Sequence, residues 1–147
     1  MSIGLLDVNV LVALFDPIHV HHEDAHRWFA LNKKRGWASC PITINGCIRV
    51  ISNPAYPTIT ATPSEVAERV LEFCSAADHH FWPDDVSITD ETLFRWPMIG
   101  GHQKLTDVYL LGLAVRHHGR LVTFDKSISL KAVHGSQPGH LVVPART

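Results

Sequence analysis

Three aspartates, Asp7, Asp107 and Asp125, are the residues best placed to do chemistry in this sequence. Asp7 follows the apolar run Ile3 to Leu6, and Asp125 follows the run Leu121 to Phe124. Both runs read as buried strands. Asp107 lies early in a helical segment, Lys104 to His118, with Leu110, Leu111 and Ala114 at i+3, i+4 and i+7. It shares the apolar stripe of its own helix, where a carboxylate is costly unless something neutralises it. Clustered carboxylate oxygens suit a hard divalent cation, Mg2+ or Mn2+. Such an ion acidifies water and stabilises charge on a phosphodiester under attack. The chemistry would then be phosphodiester hydrolysis by water, with no covalent intermediate. Each acid alone has a plainer role, since Asp caps helices well and an acid near a helix N-terminus is favoured by the dipole. Capping explains less well two strand-end acids together with one on an apolar stripe.

The elements around these acids alternate strand with helix. Val10, Leu11, Leu14 and Phe15 mark a first short helix that Asp16-Pro17 ends. A second helix is predicted from His22 to Leu31, with Gly36 just past its end. Trp37 to Cys40 is the next strand. Pro41 opens a helix whose apolar positions are Ile44, Cys47, Ile48 and Ile51. Asn53-Pro54 and Tyr56-Pro57 break the chain, and Thr62-Pro63-Ser64-Glu65 is a capping box for a helix carrying Val66, Val70, Phe73 and Cys74. A short strand or connector is expected around Phe81-Trp82-Pro83, a short helix from Thr89 to Phe94, and a loop from Trp96 to Gly101. Gly119 stops the Lys104–His118 helix, and Leu141 to Val143 reads as a last strand. This alternation predicts an α/β fold with a mostly parallel sheet. Ligands of such open sheets lie beyond the carboxyl ends of the strands, where Asp7 and Asp125 stand.

Composition narrows the classes. The 147 residues, 46% apolar and 18% charged, are enough for one ordinary globular domain, expected to span the whole chain. The net charge of −1, with 11 neutral histidines, offers no broad basic field for nucleic acid, so any contact with phosphate must be local or helped by metal. Three cysteines without a CxxC pair disfavour a disulfide framework and a structural zinc site. No apolar run is long enough for a membrane span and no signal peptide is evident, so a soluble cytoplasmic protein is expected.

The motifs carry a resemblance. Leu5-Leu6-Asp7-Val8-Asn9-Val10-Leu11 resembles the opening of PIN domains, an apolar strand, an Asp and a short helix. Leu105-Thr106-Asp107-Val108-Tyr109-Leu110 resembles the later motif in which Thr-Asp opens a helix, and Leu121-Val122-Thr123-Phe124-Asp125 resembles the final acidic motif. The segments His19–Phe29 and Thr43–Val50 are similar to the VapC toxins of toxin–antitoxin pairs. The resemblance implies a PIN-like three-layer sandwich and an endoribonuclease acting on structured RNA such as tRNA or rRNA. It also implies a VapB-type antitoxin as partner, a homodimer, and Mg2+ or Mn2+ held by Asp7, Asp107 and Asp125 as the catalytic acids. PIN domains usually carry a further acid on the helix after the second strand. Here Ile44, before Asn45-Gly46, takes that place, which leaves three acids and weaker metal binding, or a single ion. The alternative is a PIN domain with a weakened site that only binds RNA or a partner. A phosphatase of the haloacid dehalogenase type is disfavoured, because Asn9 stands where its second acid is needed.

Supporting residues carry two readings each. Asn9 is read as a cap of the first helix in preference to a hold on the water of a bound metal, and Asn45 as a neutral oxygen donor. Thr123 either orients a carboxylate or fills the strand. Thr106 is read as a helix cap. Arg49, Lys104 and Lys126 are candidates for RNA phosphates, with solvated surface charge the commoner fate of any one. His19, His21, His22 and His26 crowd one segment, and His79-His80 and His117-His118 form pairs, but without an HExxH pattern surface histidine is preferred to a metal site. Trp96 is either a loop anchor or a base-stacking surface. The stripes Leu14–Phe15 and Val66–Phe73 serve either the core or a partner.

Overall fold

A computed structural model describes residues 2–145. Five strands, β1 Gly4–Leu6, β2 Trp37–Ser39, β3 His79–Phe81, β4 Arg120–Val122 and β5 Leu141–Val142, form one sheet in the order β3-β2-β1-β4-β5. Every neighbouring pair is parallel. The helices are α1 Val8–Phe15, α2 His22–Asn32, α3 Pro41–Ser52, α4 Pro63–Phe73 and α5 Leu105–Arg116.

Side-chain alternation along the strands builds the layers. Leu5, Ala38 and Leu121 point to one face and join Val108, Leu110, Leu111 and Leu113 of α5 with Trp82 and Phe94. Leu6, Trp37 and Val122 point to the other, against Val10 and Leu11 of α1, Ala25 of α2, Cys47 and Ile51 of α3, and Val66 and Val70 of α4. A central sheet buried on both faces is the expected three-layer sandwich, here with a wholly parallel sheet. The Leu14–Phe15 and Val66–Phe73 stripes serve this packing: the rings of Phe15 and Phe73 meet edge to face at 5.2 Å.

Several predicted boundaries shift for local reasons. Thr89 to Phe94 is not a helix. Asp90 Oδ1 accepts from the Thr92 N–H at 2.9 Å and from its hydroxyl at 2.6 Å, side-chain bonds that hold a single turn. Phe94 then leaves to pair antiparallel with Val133. α5 stops at Arg116 because His118, not Gly119, takes the left-handed conformation, with φ of 57°, while the Gly119 N–H donates to the Ala114 carbonyl at 2.8 Å. Thr106 is not the cap of α5: Lys104 holds that place without a side-chain bond, and Thr106 is exposed in the first turn. β3 begins two residues before Phe81, and β4 ends at Val122, so Thr123, Phe124 and Asp125 lie beyond its ladder.

Asp16, only 2% exposed, ends α1 and ties down the loop after α3. Its Oδ2 accepts from the Tyr56 hydroxyl and the Thr58 hydroxyl, each at 2.6 Å, and its Oδ1 from the Ile18 N–H at 3.0 Å.

On the opposite face α5 passes directly over Phe94. A Cβ at Gly112 would stand 2.3 Å from Phe94 Cζ. Gly112→Ala gains helix propensity of about 1 kcal/mol but overpacks the core by roughly 2–3 kcal/mol. A net loss of about 1–2 kcal/mol is expected in urea unfolding; an unchanged or raised midpoint would mean that Phe94 yields freely.

Candidate metal centre

The strand order reverses at β1, with β2 and β3 on one side and β4 and β5 on the other. At such a switch point the loops leaving adjacent strands part and open a crevice at the carboxyl edge. Asp7 leaves β1 there, and its backbone N–H still donates to the Val122 carbonyl at 2.9 Å. It caps α1, with Oδ1 accepting from the Val8 N–H at 2.7 Å, so the capping role and a place in the crevice coincide. This cap also corrects the role expected for Asn9, which is an exposed residue of the first turn. Asp7 Oδ2 accepts from the Thr123 hydroxyl at 2.7 Å.

Thr123, 1% exposed, also accepts from the Asp125 N–H through the same oxygen, at 3.1 Å. One hydroxyl therefore links the loop after β4 to the acid after β1, and of the two readings of Thr123 the bonds favour the orienting one. Asp125 Oδ1 accepts from the Ser127 N–H at 2.8 Å and from the Ser127 hydroxyl at 2.6 Å. Its Oδ2 accepts from Lys104 Nζ at 3.2 Å, and Lys104 also donates to the Ser127 hydroxyl. The Ser127 bonds, then Lys104, hold the Asp125 carboxyl down to about 2.

Asp107 stands in the first turn of α5, half-buried. Burial, then the charges of Asp7 and Asp125, push its carboxyl up to about 6, against a smaller opposing pull from Lys104. Burial also raises Asp7, with Asp125 adding to it and the Thr123 and Val8 bonds opposing. The charge of Asp125 thus acts on Asp7, and the charges of Asp7 and Asp125 act on Asp107, so the three acids named from sequence share one neighbourhood.

Three carboxylates facing one ammonium carry excess negative charge on hard oxygen donors, which fits a divalent cation of the Mg2+ or Mn2+ class. Among the described residues no three acidic, histidine or cysteine side chains already stand as a ligand shell around one point. The Asp125 oxygen left free by Ser127 is turned to Lys104 instead. Ser127 went unread in the sequence, although Asp-x-Ser is a turn signal by which an aspartate binds the backbone two residues on.

The remaining candidates are dispersed. Asn45 is exposed and lines an open groove with Pro41, Ile42, Ile44, Phe81 and Asp84. Ile44 also lines an apolar groove with Ile48, Val70, Leu71 and Phe81. Arg49 and Lys126 are exposed, and Lys126 borders a shallow groove with His21, Asp24 and Phe124. Trp96 is 49% exposed, and its Nε1 donates to the Ile88 carbonyl at 2.8 Å, which makes it an anchor of its loop with a face left to solvent.

The expectation of surface histidine is corrected at three positions. His22 Nδ1 lies 2.6 Å from the Ala13 carbonyl, His79 Nε2 lies 2.6 Å from the buried Ser39 hydroxyl, and His117 stacks on Trp82 with its Nε2 3.0 Å from Asp85. Each is held by packing that spacing alone does not reveal.

Thr123→Val keeps the shape of the side chain and removes both bonds. Outer-shell partners of metal ligands are worth about 10–100-fold in affinity. Mn2+ titration of Thr123→Val is expected to give about tenfold weaker binding; wild-type affinity would mean that Asp7 needs no orienting partner.

A PIN domain family model matches residues 4–133. Ribonuclease VapC44 of Mycobacterium tuberculosis is 48% identical over 141 residues, 94% of this chain and 96% of that protein. Ribonuclease VapC39 of the same organism is 42% identical over 132 residues, 90% and 95% of the two chains. Ribonuclease VapC38 is 39% identical over 125 residues, 85% and 86%.

Proposed function

Since this chain belongs to the PIN-domain family, with relatives of the VapC type along most of its length, we propose that it is a metal-dependent endoribonuclease toxin. The observation that carries this is the placement of Asp7 and Asp125 beyond the adjacent strands β1 and β4, tied together through the Thr123 hydroxyl at the switch point of the sheet, with Asp107 in the first turn of α5. Its substrate is structured RNA of the tRNA or rRNA class, cut by water. A Mg2+ or Mn2+ ion held by the three carboxylates would supply Lewis-acid charge and acidify water.

The chain's own residues do the rest. Ser127 fixes one oxygen of Asp125 with two bonds and so sets the direction of the other. Thr123 fixes Asp7 Oδ2, and the N-terminus of α1 fixes Oδ1. The first turn of α5 brings in Asp107, where the helix dipole favours a carboxylate. Arg49 and Lys126 lie exposed for phosphate contact, and Asn9 and Asn45 offer neutral oxygens from α1 and α3. A VapB-type antitoxin and a homodimer belong to the same proposal; size-exclusion chromatography with and without the antitoxin measures both. Among the described residues no helix is long and apolar enough to cross a membrane.

The test is to incubate structured RNA with the purified chain and with Asp7→Asn, each with Mg2+, with Mn2+ and with chelator. Metal-dependent cleavage by wild type alone is expected. RNA binding without cleavage under every metal condition would favour the binding-module alternative, which Ile44 in the place of the usual acid supports. Equal cleavage by folded Asp7→Asn would end the nuclease proposal.

A further inference from the structure

Of the two oxygens of Asp125, Ser127 takes Oδ1 through its N–H and its hydroxyl. Oδ2 carries one bond, from Lys104 Nζ at 3.2 Å. Lys104 immediately precedes α5 and lies three residues before Asp107, so it enters the acid cluster from the same element that brings in the third carboxylate. Its ammonium is held a second time by the Ser127 hydroxyl. The lysine and aspartate side chains are 35% and 32% exposed, so the pair is open to solvent.

We propose that Lys104 is a built-in counter-ion for the carboxylate cluster, one that competes with a divalent cation for Asp125 Oδ2. It acts as a positioning residue and sets the metal affinity of the site. This rests on the metal-dependent function proposed above. An ammonium ion and a divalent cation sharing one carboxylate oxygen repel each other at close range, so the two occupants compete. A half-exposed ion pair is weak enough to be broken by a better ligand, and the long lysine stem can swing its head into water. The lysine offsets part of the negative charge of Asp125 and Asp107.

The experiment is Mn2+ binding to the full chain, read as free Mn2+ by electron paramagnetic resonance, at neutral pH and low salt. Wild type is compared with Lys104→Met, Lys104→Gln and, as the control that breaks the site, Asp107→Asn. Lys104→Met and Lys104→Gln are expected to bind Mn2+ about three- to tenfold more tightly than wild type, the size of effect that loss of one weak ion pair allows. Their metal-free melting temperatures are expected to fall, and the rise on adding Mn2+ to be larger than in wild type. Tighter binding in the two lysine variants supports the proposal, including the case in which wild type binds too weakly to measure. Equal or weaker binding in both, with Asp107-dependent binding in wild type, overturns it and leaves the metal site standing. Absence of Asp107-dependent binding in wild type and in both variants overturns the counter-ion and the metal site together.

Discussion

Asp107→Asn is expected to abolish RNA cleavage while making the metal-free protein more stable. Loss of an outer-shell partner costs about 10–100-fold in a metal site, so in the proposed site, where Asp107 would itself be a ligand, its loss should cost on the order of a hundredfold or more. The stability change has the opposite sign. Burial and the charges of Asp7 and Asp125 raise the Asp107 carboxyl from 3.8 to about 6. Between those two values the native protein keeps a proton that the unfolded chain has released, so the native state loses stability as pH rises through the window. Above it the whole cost of the charge is present. Asn removes that cost, which solvent at this half-buried site limits to about 1 kcal/mol. A rise of a few degrees in the melting temperature at pH 7.5 is expected, shrinking towards zero near pH 4. Added Mn2+ should stabilise wild type and leave Asp107→Asn unmoved. A variant that cut RNA at the wild-type rate, or melted lower at pH 7.5, would remove Asp107 from the centre of the site.

The acids were legible because each broke a pattern. Asp7 and Asp125 interrupt apolar runs, and Asp107 sits on a stripe of Leu and Ala, where polar residues need a reason. The two-face burial of the sheet was legible as continuous apolar runs, and Leu5 and Leu6 do part to opposite cores. Strand order was not legible, because a three-residue strand bears no mark of its neighbours. The Thr89–Phe94 turn was misjudged because periodicity says nothing of the Asp90 carboxylate's bonds to Thr92. By its charge Lys104 reads as a phosphate contact or, more commonly, a solvated lysine, whereas its ammonium is committed to Asp125 and Ser127 across more than twenty residues of sequence separation. The tie between Asp7 and Thr123 spans 116 residues, and no local pattern encodes such a bond.

Asp16→Ala is expected to be the most destabilising of the substitutions considered, at about 3 kcal/mol. Tyr56 and Thr58 each give Asp16 Oδ2 a 2.6 Å bond, and the Ile18 N–H gives Oδ1 one of 3.0 Å. Bonds to a buried charge are worth about 1.5–3 kcal/mol apiece, sum incompletely, and leave donors unpaired when the acceptor goes. Asp16→Asn keeps one oxygen and should lose about half as much. Burial alone would raise the Asp16 carboxyl, but the bonds from Thr58, Tyr56 and Ile18 outweigh it and hold the carboxyl below 3.8. A depressed acid stabilises the fold at every pH above its unfolded value, and that contribution fades as pH falls through the lowered folded value. The difference between wild type and Asp16→Ala should therefore be full at pH 6 and narrow only in strong acid. Asp107 does the reverse, costing stability as pH rises from about 4 to 6. One set of urea titrations across pH separates the two carboxylates by the sign of their slopes. Tyr56 supplies an independent readout: burial and then its bond to Asp16 push the phenol up to about 12, so ultraviolet titration of Asp16→Ala should bring it back towards 10. Stability within about 0.5 kcal/mol of wild type at pH 6, with an unmoved phenol, would show that the loop after α3 is held by its apolar contacts and not by this carboxylate.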